Sequence, residues 1–299
     1  MSFKKQENQM IEVCTRLLTE GEVDVVIGFS SDQLGGCAIP SFIRKPLDVK
    51  DLKWDDTCTP NLAKYVIERK EKVAIIAKPC DARALVMYQI ENQIDRNHVY
   101  IIGMECPGMK LSDGTPAPGC QECTVRTPPI FDILIEADKI QTFEVSELSS
   151  NRENSKTSFV ESSMEWELED RLKRFQDEMQ KCILCFSCRQ ACYGCYCKTC
   201  FIERDVPNWL PQDLDISTKM MFHLGRAMHL AGRCVECGAC ERVCPSGVKI
   251  RYLIQELTDL CHEQYGYRAG MDMNETPAMA TFSLGDREIG FLGGDQNES

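Results

Sequence analysis

Two stretches decide how this chain is read: CILCFSCRQAC at 182–192 and CVECGACERVCP at 234–245. In the first, Cys182, Cys185, Cys188 and Cys192 follow the spacing CxxCxxCxxxC. In the second, Cys234, Cys237, Cys240 and Cys244 repeat it, and Pro245 follows. Three thiols spaced three apart wrap one [4Fe–4S] cube on a tight loop, while the fourth enters a helix and reaches the other cube. The spacing therefore assigns Cys182, Cys185, Cys188 and Cys244 to one cluster and Cys234, Cys237, Cys240 and Cys192 to a second. A lone CxxC also suits a zinc ribbon. Zinc knuckles, however, separate two CxxC pairs by roughly a dozen residues or more and do not repeat a run of four.

The rest of the composition fits that reading. The chain has 299 residues, 43% of them hydrophobic, enough for two cores. It opens MSFKKQENQM, without an apolar signal core, and no stretch is long and apolar enough to span a membrane. The expectation is a cytoplasmic protein whose nineteen cysteines bind metal in a reducing compartment rather than form disulfides. A net charge of −12 argues against nucleic acid and suits docking to a basic partner, or simply a solvated surface.

Outward from the cysteine runs, the pattern predicts an N-terminal α/β domain with a parallel sheet core at 1–148, a linker at 149–163, a mainly α bacterial-type dicluster ferredoxin domain at 164–268, and a tail at 269–299, flexible or strapped across a partner. An amphipathic helix is expected at 4–20, and continuous apolar runs at 23–27, 73–77 and 99–102 read as buried strands. Helices are expected at 61–70 and 82–95, the latter capped by Asp81. A hairpin is expected at 133–136 and 140–145, turning at Asp138-Lys139. In the second half, helices are expected at 164–181, at 217–231 with Ser217 as N-cap, and at 249–264. The apolar stripe of the middle one, Met220, Met221, Leu224, Ala227, Met228 and Ala231, is expected to shield the clusters from water. Of the four histidines, His98, His223, His229 and His262, the pair His223 and His229 stand six apart on the expected 217–231 helix, on different faces, and read as ordinary helix residues near a core.

A third site is expected in the first half. Cys80 and Cys106 each follow the carboxyl end of an expected strand, where parallel sheets bind ligands. Cys120 and Cys123 form a CxxC on the loop PAPGCQECTVRTPP. Cys80, Cys106, Cys120 and Cys123 make a candidate third [4Fe–4S] site, with Cys58 as a substitute; the alternatives are zinc or buried, inert thiols. Cys195, Cys197 and Cys200 follow the first run as an insert. They are candidate ligands of an additional metal whose fourth ligand comes from Cys261, a histidine or a partner chain, or they are unligated thiols; Cys195 is also a substitute for Cys192. Lys78 and Arg83 flank Cys80, placed to hold a nucleotide phosphate or to balance cluster charge. Gly35-Gly36 follows the first strand and is a weak candidate for a flavin phosphate, since no complete GxGxxG is present.

Taken in order, VDVVIGF, IPSFIRKP, NLAKYV, KVAIIAKPCDARALV, VYIIGMECPGM and CQECTVRTPPIFD resemble the coenzyme F420 hydrogenase/dehydrogenase beta-subunit family. KCILCFSCRQACYGCYCKTCFIERDVPNW and HLAGRCVECGACERVCPSG resemble members fused to a dicluster ferredoxin module. The likeness covers about residues 20–265, and here the module stands at the C-terminal end rather than first. The resemblance implies an iron–sulfur subunit of a cytoplasmic oxidoreductase complex of anaerobic metabolism, alongside a hydrogenase, a formate dehydrogenase or a heterodisulfide-reductase-like enzyme. Its expected role is to relay single electrons between partner subunits, or ferredoxin, and the clusters. The alternative it implies is a catalytic subunit carrying FAD, exchanging electrons between a deazaflavin, NAD(P)H or ferredoxin and the clusters.

Overall fold

The computed structural model describes residues 2–32, 37–137, 167–211 and 213–281. The first half is built on a five-stranded sheet. Strands β1 (Val25–Ser30), β2 (Ile39–Ile43), β3 (Val73–Ala77), β4 (Val99–Met104) and β5 (Ile133–Ile135) are ordered β2-β1-β3-β4-β5. β1, β3, β4 and β5 run parallel, and β2 closes the edge antiparallel to β1. The sheet is therefore mixed rather than purely parallel. The sequence reading missed β2 because the strand is mostly exposed or half-buried and carries Pro40 at its second position, so it lacks the continuous apolar run of an inner strand. β3, by contrast, is VAIIA with every residue buried.

Helices α1 (Ser2–Thr19) and α2 (Pro79–Ile90) pack on this sheet. α1 contributes Met10, Cys14 and Leu17 to the core. It is also pinned by Gln6, whose side chain donates to the Glu105 carbonyl at 2.9 Å and accepts from the Trp54 indole at 3.1 Å. Two expectations change at α2. The helix starts at Pro79, with Lys78 in the N-cap position. Asp81 lies inside the first turn, where its carboxylate accepts the backbone N–H of Lys78 at 2.9 Å and of Leu62 at 2.6 Å. The helix expected at 61–70 is only a short 3-10 turn, Ala63–Tyr65. Its leading residues bond elsewhere: Leu62 to Asp81, and Asn61 Nδ2 to the Cys80 carbonyl at 3.2 Å.

β5 is the first arm of the expected hairpin, but it pairs in parallel with β4. The second arm and the linker at 149–163 lie outside the described residues.

The second half is helical: α3 (Leu168–Lys181), α4 (Ser187–Ala191), α5 (Ile216–Leu230), α6 (Ala239–Arg242) and α7 (Arg251–Tyr265). α5 packs against α3 and α7, and the short α4 packs against α6. The N-cap of α5 is Asp215, whose carboxylate accepts from the Ser217 N–H at 2.8 Å, not Ser217 itself. The stripe expected to face inward is displaced around the helix. Thr218, Phe222, His223, Arg226, Ala227 and Leu230 are buried, while Met221, Leu224 and Met228 are exposed. Apolar periodicity misplaced the face because three of the inward residues, Thr218, His223 and Arg226, are polar.

The two halves are packed together. Tyr88 on α2 donates to the Tyr193 carbonyl at 2.7 Å, and its ring meets those of Tyr193 and Tyr196 edge-on. Arg233 pairs with Glu91, and Lys64 Nζ donates to the Gln190 carbonyl at the end of α4 at 2.6 Å. The described part of the tail stays on the chain itself: Ala269 is buried and its carbonyl accepts from Arg83 at 2.9 Å. Residues 282–299 lie outside the described residues. No helix among the described residues is long and apolar enough to cross a membrane.

Candidate functional site

The register of β3 against β4, Ala77 opposite Gly103, brings their carboxyl ends level. Cys80, in the first turn of α2, and Cys106, just past β4, therefore meet at that edge. The loop after Cys106 folds back: Ala117 N–H donates to the Met109 carbonyl at 2.8 Å and Cys120 N–H to the Ala117 carbonyl at 2.9 Å. This delivers Cys120 and Cys123, so that Cys80, Cys106, Cys120 and Cys123 line one cavity. Burial pushes the Cys106 thiol up to about 12 and Cys80 well above its ordinary value. Thiolates here need a cation, and the walls supply several: Lys78, Arg83, Arg126, Arg242, Arg251 and Arg268 line the same cavity. Cys58 is buried away from it, its thiol directed to the Lys53 carbonyl.

A second cavity is lined by Cys182, Cys185, Cys188 and Cys244, together with Cys240 and His223. Its sulfurs receive backbone donors: Leu184 N–H to Cys182 at 3.4 Å and Val248 N–H to Cys244 at 3.3 Å. His223 Nε2 lies 3.3 Å from the Cys182 sulfur, while its Nδ1 is buried without a partner. Burial, with Arg226 nearby, lowers this imidazole to about 3, so it is neutral.

The two cysteine loops share one backbone. Leu184 and Phe186 have φ of 51° and 59°, and the matching positions Glu236 and Gly238 have 59° and 69°. Positive φ is costly for Leu, Phe and Glu. Adopting it at the same two positions in each loop curls the chain around its three leading thiols. Glu236 N–H donates to the Cys234 sulfur at 3.3 Å, as Leu184 does to Cys182.

The third group is Cys192, Cys234, Cys237 and Cys240, whose thiols act on one another electrostatically. This group lies between the cavities: Cys237 also lines the first, and Cys240 the second. Two of the expected ligand sets thus each line a cavity, and the third adjoins both through Cys237 and Cys240. Among the described residues, no group of three or more His, Cys, Asp or Glu side chains is placed to hold a metal ion. A tetrahedral zinc site needs its sulfurs within about 4 Å of one another. Two of the sets stand instead around open cavities, and an all-cysteine donor set around such a space has the chemistry that suits a cluster core.

The insert thiols have separate surroundings. Cys195 lies close to Cys192, its N–H donating to the Cys192 carbonyl at 3.3 Å; the interaction of the two thiols lowers Cys192, as does Arg226, and raises Cys195. Cys197 is exposed, and Cys200 lies beside Arg189. Cys261 is buried near Gly232.

Lys78 and Arg83 are held internally. Lys78 Nζ donates to the Pro60 carbonyl at 2.7 Å, pairs with Asp81 at 2.9 Å and sits 4.3 Å from the centre of the Phe29 ring. Arg83 donates to the Ala269 and Val235 carbonyls and to Glu236. Gly35 and Gly36 lie outside the described residues. The sequence reading missed Arg226 and Glu236 and placed His223 among ordinary residues. The available signal was a polar residue recurring at 223 and 226 on a helix between two cysteine loops.

No family model matches the chain. It is 22% identical to the F420-dependent formate dehydrogenase subunit beta of Methanocaldococcus jannaschii, over 87% of this chain and 91% of that one. It is 25% identical to the F420-dependent formate dehydrogenase 1 subunit beta of Methanococcus maripaludis, over 88% and 90%.

Proposed function

Since these relatives bear out kinship with the coenzyme F420 hydrogenase/dehydrogenase beta-subunit family, we propose that the chain is the electron-relay subunit of a multi-subunit oxidoreductase. Three [4Fe–4S] clusters are held by Cys80, Cys106, Cys120 and Cys123; by Cys192, Cys234, Cys237 and Cys240; and by Cys182, Cys185, Cys188 and Cys244. The supporting observation is contiguity: the middle group shares Cys237 with the first cavity and Cys240 with the second. Electrons move singly along that line. The exposed Cys185 marks the end nearest solvent, where a partner subunit or ferredoxin exchanges them.

The residues around the sulfurs set the energetics. Backbone donors from Leu184, Glu236 and Val248 favour the thiolate forms. The arginines of the first cavity offset the charge of a bound cluster. The formate dehydrogenase names of the relatives make a formate-oxidising complex the first partner to test, and nineteen thiols suit a reducing cytoplasm.

The test is iron, acid-labile sulfide and zinc per chain after anaerobic purification. About twelve irons are expected. About eight would remove the site at the strand ends, and zinc without iron would overturn the relay.

A further inference from the structure

α5 buries a guanidinium against the first cysteine loop. Arg226 is 3% exposed. Its Nη2 donates to the Cys188 carbonyl at 3.2 Å, whereas Nε and Nη1 are buried and make no well-formed hydrogen bond. The groups that act on it are the thiols of Cys192, Cys240, Cys188 and Cys195, in that order. Cys192 and Cys240 belong to one ligand set of the helical half and Cys188 to the other, while Cys195 is an insert thiol. A buried cation with two idle donors is costly, and an apolar residue of similar volume would pack there more cheaply. The site therefore suits an anionic group that accepts those donors.

We propose that Arg226 is a positioning residue for electron transfer: it directs its Nε and Nη1 donors at the cluster held by Cys192, Cys234, Cys237 and Cys240, and stabilises that cluster's reduced form. The inference rests on the cluster reading above. In the step concerned, a low-potential one-electron donor is oxidised and the cluster gains its electron and one unit of negative charge. No bond is made or broken and no proton moves. A fixed positive charge nearby lowers the energy of the more negative state, which raises the reduction potential. Arg226 also adjoins the neighbouring set through the Cys188 carbonyl.

The test is a dithionite titration with mediators, followed by EPR, on the full-length wild type and on Arg226→Gln, which keeps two donors but loses the charge. At the wild-type midpoint, the reduced-to-oxidised ratio of one cluster should fall at least tenfold in the variant, a shift of about 59 mV for one electron. Arg226→Lys, which keeps the charge without the fork, should shift less. Wild-type iron content with an unshifted potential in Arg226→Gln overturns the inference. If Arg226→Gln loses iron, Arg226→Met, which also removes the charge but fills a similar volume, is read in its place, and an unshifted potential there overturns it equally. Loss of iron from both variants would assign Arg226 to holding the loops and also overturn it. A wild-type protein without iron and sulfide would instead sink the cluster reading itself, and this inference with it.

Discussion

Glu236 shows how much of this molecule depends on single charged groups. Its carboxylate accepts from Arg268 at 2.8 Å and from Arg83 at 3.1 Å. Burial works to raise its pKa, yet the two guanidiniums more than offset this and leave it below the ordinary carboxylate value. Replacing it by Gln strands two arginines beside the first cavity. Breaking such a pair costs on the order of 3 kcal/mol, read as a lower denaturant midpoint for Glu236→Gln. Cys106→Ser and Cys58→Ser make a sharper contrast, because only Cys106 lines the cavity. The first is expected to lower iron by about four per chain, the content of one cluster. The second should leave iron unchanged, and equal losses would contradict the placement of this site.

The elements carry their own test in α5. Met228 is 60% exposed and Leu230 is 2% exposed, although both were legible only as members of one apolar helix. Met228→Lys should change stability by no more than about 0.5 kcal/mol. Leu230→Ala should cost about 2–4 kcal/mol, with partial loss of visible absorption as the packing around Cys192 loosens. The reverse ranking would restore the stripe first read from the sequence. That reading failed for a physical reason: periodicity finds where apolar residues recur, but the buried face of this helix meets sulfur as well as hydrocarbon, so His223 and Arg226 turn inward beside Phe222 and Leu230. The cysteine runs were legible because their geometry is local, each loop being fixed by its spacing. The strand ends at Cys80 and Cys106 were legible because parallel strands place their carboxyl ends together. The caps at Lys78 and Asp215 were misplaced by two or three residues, since Asp81 and Ser217 are also good capping residues and only the backbone partners decide between them.

On the scale of the whole molecule, the sheet and the helices meet through backbone as well as side chains. A β-carbon on Gly119 would lie 2.6 Å from the Glu236 carbonyl oxygen, and one on Gly238 would run into the Pro118 carbonyl. Both glycines also have positive φ, 85° and 69°. Gly238→Ala should therefore part the loops that carry Cys120 and Cys237 and cost at least about 2 kcal/mol. The expected outcome is faster proteolysis between the halves, with slower reduction of the strand-end site than of the others in stopped-flow spectra. None of this contact was legible in the sequence. It depends on which loops of two distant segments press together, through Arg242 to the Pro118 and Thr59 carbonyls and through Arg251 to Glu122. The same contact constrains how the protein is made. Val235, Glu236 and Cys237 form one wall of the cavity that Cys80, Cys106, Cys120 and Cys123 line. That wall belongs to a part of the chain synthesised more than a hundred residues after Cys123. The cavity is therefore complete only once the later segment has folded back against the sheet, where the two glycine loops approach each other closely.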